Sequence, residues 1–162
     1  MSNDQSSAQP DEMGDLLREI ALPVFEQSFH FQVSVAPAGE PYVSEELQVA
    51  ANIGITGSVT GALYFYTGVP FAWELTGKLL GMPVERIERT AMVKDMMGEF
   101  LRMFAEALKA KLAERGQLCD LTMPTVFQGK DFRIEALAGM QRHALHLKCN
   151  QSHLLLELHV KR

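Results

Sequence analysis

The sequence predicts an α+β domain in which a mainly antiparallel sheet is backed on one face by long helices. Two observations lead to this fold class. Apolar residues recur every three or four positions in three segments, as on an amphipathic helix, and alternate with polar residues in several others, as along a strand. Short turns separate neighbouring strand segments, which favours hairpins and therefore antiparallel pairing.

Length and composition place these elements in one domain. The chain has 162 residues, of which 47% are hydrophobic, enough for one core. Residues 1–9 are polar and are expected to be a disordered tail, and residues 10–162 are expected to form the domain. The net charge is −5 and the basic residues are scattered, which argues against a nucleic-acid or membrane partner. No apolar run approaches ~18 residues and no signal peptide is visible, so the expected location is the cytoplasm.

The N-terminal part predicts one helix and one short strand. Pro10 and two acids provide a helix start, and apolar residues follow at helical spacing. Pro23 is expected to kink this helix. The spacing changes to two from Phe31, which predicts a strand at 31–36 and then a loop at 37–41.

A hairpin and a second helix are predicted next. Strands at 47–56 and 58–66 are expected to join at Gly57. Gly68-Val69-Pro70 begins a helix with a proline in its first turn, and Gly81 occupies the position of a left-handed cap at its end.

A long helix is predicted from Thr90 to Arg115, ended by Gly116. Its roughly 26 residues would span ~39 Å. At 100° per residue, one side is an apolar stripe for the core and the opposite side is charged. The stripe contains Val93, Met97, Phe100, Leu101, Phe104, Leu108 and Leu112, and the charged side contains Asp95, Glu99, Arg102, Glu106 and Lys109.

Three strands are predicted in the C-terminal part, at 119–128, 141–149 and 152–160. Met123-Pro124-Thr125 interrupts the first, because proline cannot donate to a ladder and is confined to edges or bulges. A two-residue turn at Asn150-Gln151 joins the last two. This turn pairs Leu147 with Leu154, Leu145 with Leu156 and His143 with Leu158 on the core face, and leaves Arg142, Ala144, His146 and Lys148 on a solvated face. Cys119 and Cys149 form no C-x-x-C pair and are interpreted as small buried hydrophobes.

Three motifs between Asp95 and Lys130 resemble one family. They are G-E-x-x-x-M-x-A from Gly98, K-x-K-L at the helix end and M-P-T-V-x-x-G from Met123. Together they resemble the CheX branch of the CheC/CheX/FliY chemotaxis phosphatases, which dephosphorylate aspartyl-phosphate on response regulators. The resemblance implies the same α+β fold, a homodimer formed through the sheets, and a phosphorylated receiver domain as partner. It implies no cofactor of the protein's own, since Mg²⁺ would belong to the receiver.

The resemblance also identifies a departure at the catalytic motif. The family's helix carries E-x-x-N, in which the carboxylate pairs with the receiver's lysine and the amide orients the attacking water. Here Glu99 matches the carboxylate, but Arg102 replaces the asparagine. An amide donates and accepts hydrogen bonds, whereas a guanidinium only donates. Phosphatase activity is therefore expected to be weak or lost. Glu106 stands where the family usually has glycine and would add negative charge near an incoming phosphate.

Three interpretations of Arg102 remain open. It is a surface residue paired with Glu99 and Glu106, or it clamps phosphoryl oxygens as an arginine finger does, or it binds a partner without turnover. In the third case the protein is a dimeric adaptor and not an enzyme.

The docking surface is expected beside Glu99. The predicted partner-binding residues are Asp95, Met96, Glu99, Met103 and Glu106. Thioether side chains suit a surface that adapts to a partner, but the favoured interpretation of Met92, Met96 and Met103 is that they fill irregular core gaps under the neighbouring helix. His146 and His153 would share one sheet face, but two imidazoles without a third ligand predict no metal site.

Overall fold

A computed structural model describes residues 12–37, 40, 42, 47–130 and 137–161. The predicted tail 1–9 and the predicted helix start at Pro10 lie outside these residues. In chain order, the helices and strands are α1 (Glu12–Pro23), a π-helical turn (Val24–Ser28), β1 (Ser34–Val35), β2 (Gln48–Gly57), β3 (Gly61–Gly68), α2 (Val69–Leu80), a 3₁₀ turn (Val84–Arg86), α3 (Thr90–Glu114), β4 (Cys119–Leu121), β5 (Thr125–Gly129), β6 (Met140–Cys149) and β7 (Ser152–Lys161).

The described strands form one antiparallel sheet, which confirms the α+β fold class. Its order is β1-β6-β7-β3-β2, and β4 and β5 pair in succession with the remaining side of β2. The predicted register of the last hairpin is confirmed, because His143, Leu145 and Leu147 lie opposite Leu158, Leu156 and Leu154. The earlier hairpin is also present, with its turn at Ser58–Thr60 following Gly57.

The helices pack on the core face of this sheet. Four phenylalanine rings join three elements at the centre: Phe100 of α3 lies 5.3 Å from Phe25 of the π-helical turn, 5.0 Å from Phe65 of β3 and 4.8 Å from Phe104, measured between centroids. All four side chains are at most 1% exposed. Burial of this many large rings fixes the position of α3 on the sheet, because cores are close-packed.

The predicted ends of α2 and α3 are confirmed. Gly81 follows α2 in the left-handed conformation at φ 65°, and its N–H donates to carbonyls of the last turn. Gly116 has φ 76° just after α3. Both positions favour glycine because a Cβ is strained at positive φ. The α-helical part of α1 ends at Pro23 and gives way to the π-helical turn.

The first strand is shorter than predicted. In the described part of the chain, β1 contains Ser34 and Val35, which pair with β6, and the N–H of Ala36 donates to the carbonyl of His146. The N–H of Phe31 donates to the carbonyl of Phe25, so Phe31 lies in the segment that closes the π-helical turn and not in a strand. Phe31 is buried in the core. The alternation of apolar and polar residues that starts there therefore resembles the pattern of a strand.

The second sheet face is less solvated than predicted. Glu157 and His159 of β7 are only 2% and 3% exposed, and Tyr66 of β3 is also buried. Glu157 accepts a hydrogen bond from Arg142 and lies 2.9 Å from His159 Nε2. Because a buried carboxylate is costly without a partner, this pairing explains how Glu157 is accommodated there.

A second polar cluster lies on the same face. His146 Nε2 and His153 Nδ1 are 2.8 Å apart, and Tyr42 contacts the His146 ring at a centroid distance of 5.7 Å. Glu40 forms an ion pair with Lys148. These contacts attach the chain after β1 to the outer side of β6.

Both cysteines are buried free thiols, as predicted. Burial raises the pKa of both Cys119 and Cys149. Among the described residues, no helix combines the length and the apolar character needed to cross a membrane.

Candidate functional site

The outer surface of α3 carries the predicted site residues. All seven residues of the predicted apolar stripe are buried, from Val93 to Leu112. The opposite side of the helix therefore faces outward, and Asp95, Glu99 and Glu106 are exposed there. The prediction that an acidic side chain points away from the core is confirmed for all three.

A bulge in the edge strand brings a second segment to this helix. Between β4 and β5, Thr122–Pro124 span three residues opposite only two of β2, which is the one-residue excess of a β-bulge. Thr122 keeps the bulge in place: its N–H donates to the carbonyl of Gly54, and its hydroxyl accepts from the N–H of Gly54 at 2.8 Å. The predicted interruption at Met123-Pro124-Thr125 is thus a bulge at the sheet edge.

Glycine allows α3 to approach this bulge. A Cβ on Gly98 would lie 3.2 Å from Pro124 Cγ and 3.6 Å from a methyl carbon of Val126. Contacts this short leave little room for a side chain. The Gly98-Glu99 and Met123-Pro124 motifs, distant in sequence, therefore meet in the folded chain, and the site lies where they meet.

Glu99 and Arg102 form a loose ion pair. Arg102 Nε lies 3.8 Å from Glu99 Oε1, and 57% of the Glu99 side chain is exposed. A separation of this size exceeds the 2.7–2.9 Å typical of a charge-assisted hydrogen bond. The second pair proposed from sequence is not formed, since no carboxylate other than that of Glu99 lies within 4 Å of Arg102 in the described part of the chain.

Arg102 makes its other contact with the bulge. Its Nη2 lies 3.7 Å from the sulfur of Met123, a weak acceptor. The Nε atom is buried and has no hydrogen-bond partner among the described residues. The guanidinium is therefore held between Glu99 and Met123 without a strong acceptor. The interruption at Met123-Pro124-Thr125 was predicted from the sequence, but the contact of Met123 with Arg102 was not.

The methionines beside Glu99 do not fill the core. Met103 is 36% exposed and Met96 is half-buried. Neither these two nor Met92 packs against the described core cluster, in which Met97 is the buried methionine of this helix. Met96 and Met103 therefore share the outer surface of α3 with Asp95, Glu99 and Glu106, and the expectation that they fill gaps in the core is wrong.

The chemistry available at this surface follows from its groups. Glu99 can accept hydrogen bonds and pair with a cation, and Arg102 can only donate. The Thr122 hydroxyl already accepts from Gly54 and donates to the Met123 carbonyl at 3.3 Å. Among the described residues, no group of three or more His, Cys, Asp or Glu side chains is arranged to hold a metal ion.

Comparison with known proteins identifies relatives of this fold. A curated relative, "CheY-P phosphatase CheX" of Thermotoga maritima, is 32% identical over 103 residues, which are 60% of this chain and 65% of the relative. The chain thus spans slightly less than two thirds of that relative's length.

Solved structures share the whole architecture. The chemotaxis protein CheX of Desulfovibrio desulfuricans superposes with a TM-score of 0.76 at 22% identity, covering 93% of this chain and 99% of that one. A CheX from Borrelia burgdorferi was solved as a CheX-CheY-BeF₃-Mg²⁺ complex. It superposes with a TM-score of 0.73 at 16% identity, covering 91% of this chain and 97% of that one. At these identities the similarity demonstrates the fold.

A match to a protein-family model identifies the family of the sequence. The model described as "Chemotaxis phosphatase CheX" matches residues 49–148, well over half of the chain, and this range contains α3 and the bulge that meets it. The chain therefore belongs to the CheX family of chemotaxis phosphatases.

Proposed function

We propose that this protein binds the receiver domain of a phosphorylated response regulator through the outer surface of α3, and that it accelerates dephosphorylation weakly or not at all. It would act in the cytoplasm, in chemotaxis or another two-component pathway. The observation that carries the proposal is the pairing of an outward Glu99 with Arg102 at the position three residues on.

The receiver as partner is supported by two relatives. The Thermotoga maritima protein is named a CheY-P phosphatase, and the Borrelia burgdorferi protein was solved with CheY. The surface described above suits such a partner, since it offers exposed carboxylates for a receiver's lysine and adaptable methionines for its apolar side chains.

The expected loss of activity follows from the chemistry of Arg102. A phosphorylated receiver already holds its Mg²⁺ and a lysine, so a phosphatase partner contributes mainly the placement of a water in line with phosphorus. That task needs a group that accepts a hydrogen bond from the water, and a guanidinium has no acceptor. Glu106 adds a like charge near the phosphate.

A second candidate function is a non-catalytic adaptor that uses the same surface. The weak thioether contact of Arg102 favours it, because a donor that faces only a sulfur can bind an acceptor of a partner but cannot activate water.

A phosphate-release assay measures whether any catalysis remains and whether Arg102 limits it. A receiver from the same genome is phosphorylated, and its hydrolysis is followed alone and with wild type, Glu99→Ala, Arg102→Asn and the control Glu114→Ala, an exposed carboxylate at the far end of α3. We expect little acceleration by wild type and a clear gain for Arg102→Asn. A large acceleration by wild type that Arg102→Ala abolishes would instead support an arginine finger.

We also propose that the protein is a homodimer, as the family resemblance implies. Light scattering coupled to size exclusion, over a range of concentrations, measures the mass directly. We expect twice the chain mass of 18.1 kDa, and a monomer at every concentration would contradict the proposal.

A further inference from the structure

We propose that Arg102 reads the phosphorylation state of the partner: its guanidinium binds the phosphoryl oxygens of the receiver's aspartyl-phosphate and so gives the protein a preference for the phosphorylated form. The inference rests on the proposed function and concerns the same surface of α3. It assigns to Arg102 a specificity role in place of the water-orienting role of the family's asparagine.

The charge on this surface opposes the approach of a phosphoryl group. Between Asp95 and Glu106, the chain carries three carboxylates, and Arg102 is the single basic residue. The three carboxylates are all exposed on the same side of the helix. A phosphoryl group brought to this surface meets like charges, which disfavour the phosphorylated partner. Arg102 lies among these carboxylates and can offset their repulsion, whereas Lys109, the other basic residue of the charged side, lies beyond them.

The guanidinium has donors available for a stronger acceptor. Its contact with Glu99 is 3.8 Å long and its contact with Met123 goes to a sulfur. A phosphoryl oxygen is a far better acceptor than a thioether, and arginine presents donors in a planar fork that matches phosphate. Binding a phosphoryl group therefore replaces a weak contact and breaks no strong one.

The surrounding structure limits the freedom of this side chain. Arg102 is 38% exposed, and its Nε is buried against the protein. Met123, which contacts the guanidinium, belongs to the bulge that Thr122 ties to Gly54. A side chain already restrained loses less conformational entropy on binding, so the preference for a phosphoryl group is stronger than for a freely moving arginine.

Such a contact stabilises the complex without accelerating hydrolysis. The phosphoryl oxygens are charged in the ground state as well as in the transition state, so an arginine that binds both equally raises affinity alone. Acceleration would also need an oriented water, for which Arg102 has no acceptor.

The test compares affinities for two forms of one receiver. A receiver from the same genome is prepared with Mg²⁺ alone and with Mg²⁺ and beryllofluoride, a phosphoryl mimic, and dissociation constants are measured by calorimetry. The variants are wild type, Arg102→Gln, Arg102→Lys and Lys109→Gln. Lys109 is the matched control, because it lies two turns along the same helix face and its change removes the same charge.

We expect wild type to bind the beryllofluoride form about tenfold more tightly or better, a preference in the range of charge-assisted hydrogen bonds. Arg102→Gln should reduce the ratio of the two affinities, beryllofluoride form over Mg²⁺ form, to about one or below. Arg102→Lys should keep part of the preference, because an ammonium is a point charge without the planar donor pair of a guanidinium. Lys109→Gln should keep the full preference. Circular dichroism verifies that each variant is folded.

Two results would overturn the inference, and they differ in what else they affect. If Arg102→Gln binds and retains the wild-type ratio, the preference arises from the receiver's own change of shape, and the proposed function stands. If wild type binds neither form, the proposed function fails together with the inference.

Discussion

Gly98 of α3 and Pro124 of the edge bulge touch so closely that a Cβ on Gly98 would lie 3.2 Å from Pro124 Cγ. This contact joins the two motifs that mark the family and sets the height of α3 above the sheet edge. Arg102, one turn further along the helix, reaches Met123 as a result.

A double-mutant cycle tests this contact. In a helix, alanine is more stable than glycine by about 0.5–1 kcal/mol, but in Gly98→Ala the crowded Pro124 ring should offset that gain. We expect Gly98→Ala to leave the free energy of unfolding nearly unchanged in wild type. In a Pro124→Ala background, the same substitution should raise the free energy of unfolding by about 1 kcal/mol. Urea denaturation of the four proteins gives the coupling; equal effects of Gly98→Ala in both backgrounds would show that the ring yields without cost.

Removing the charge of Glu106 should strengthen receiver binding. Glu106→Gln takes one carboxylate from the surface that meets the phosphate, so binding to a beryllofluoride-activated receiver should tighten by a factor of about two to five at low salt. The gain should fade in 0.5 M salt because screening weakens interactions between exposed charges. Glu114→Gln, at the far end of the helix, is the control. If both variants gained affinity equally, the change in net charge alone would explain the effect, and the position of Glu106 would not matter.

The buried pair on the outer sheet face should contribute to stability. Arg142→Met leaves the Glu157 carboxylate, 2% exposed, without its guanidinium partner. We expect the free energy of unfolding, measured with urea or heat, to fall by about 2 kcal/mol. This loss is smaller than the 3–5 kcal/mol expected when a fully buried pair is broken, because 53% of the Arg142 side chain is exposed.

The double variant Arg142→Met with Glu157→Leu serves as the control for this loss. It removes both charges and should recover most of the lost stability, since apolar replacement of a buried pair is often neutral. A double variant no more stable than Arg142→Met would indicate that His159, 2.9 Å from the Glu157 carboxylate, depends on that group for its own position.

The Glu40–Lys148 pair predicts a pH dependence with a definite sign. A hydrogen bond from Lys148 lowers the pKa of Glu40 below its usual value. A carboxyl group whose folded pKa is depressed stabilises the fold above its unfolded pKa, and this contribution is lost as pH falls through the folded pKa.

The measurement is an NMR titration of the Glu40 side chain. In Lys148→Met, we expect the pKa of Glu40 to rise toward the ordinary glutamate value, so the loss of stability in acid that Glu40 causes should shrink. Lys161→Met, at the end of β7, is the matched control and should leave the Glu40 titration in place. An unchanged Glu40 pKa in Lys148→Met would contradict the assigned cause.

The pairing of the last hairpin and the buried stripe of α3 were predictable from the sequence because each depends on a local period. A two-residue turn sets the register of Leu147 against Leu154, and a 3.6-residue period selects Phe100 and Phe104 for the core. Local patterns of this kind require no knowledge of the neighbouring elements.

The contact between Arg102 and Met123 could not be predicted in the same way. It depends on β4 and β5 both pairing with β2 and on the extra residue of the bulge between them. Likewise, the burial of Glu157 on the outer face depends on side chains from β6 and β3, and β3 is more than 80 residues away in sequence. Non-local strand order decides both features.

The burial of both native thiols has a practical consequence for spectroscopy. Cys119 and Cys149 are shielded within the fold, and their raised pKa values keep the reactive thiolate scarce at neutral pH. A maleimide dye should therefore label a single cysteine introduced at exposed Met103 without prior removal of the natural ones. Fluorescence from that label would report, in real time, the arrival and departure of a receiver at the helix.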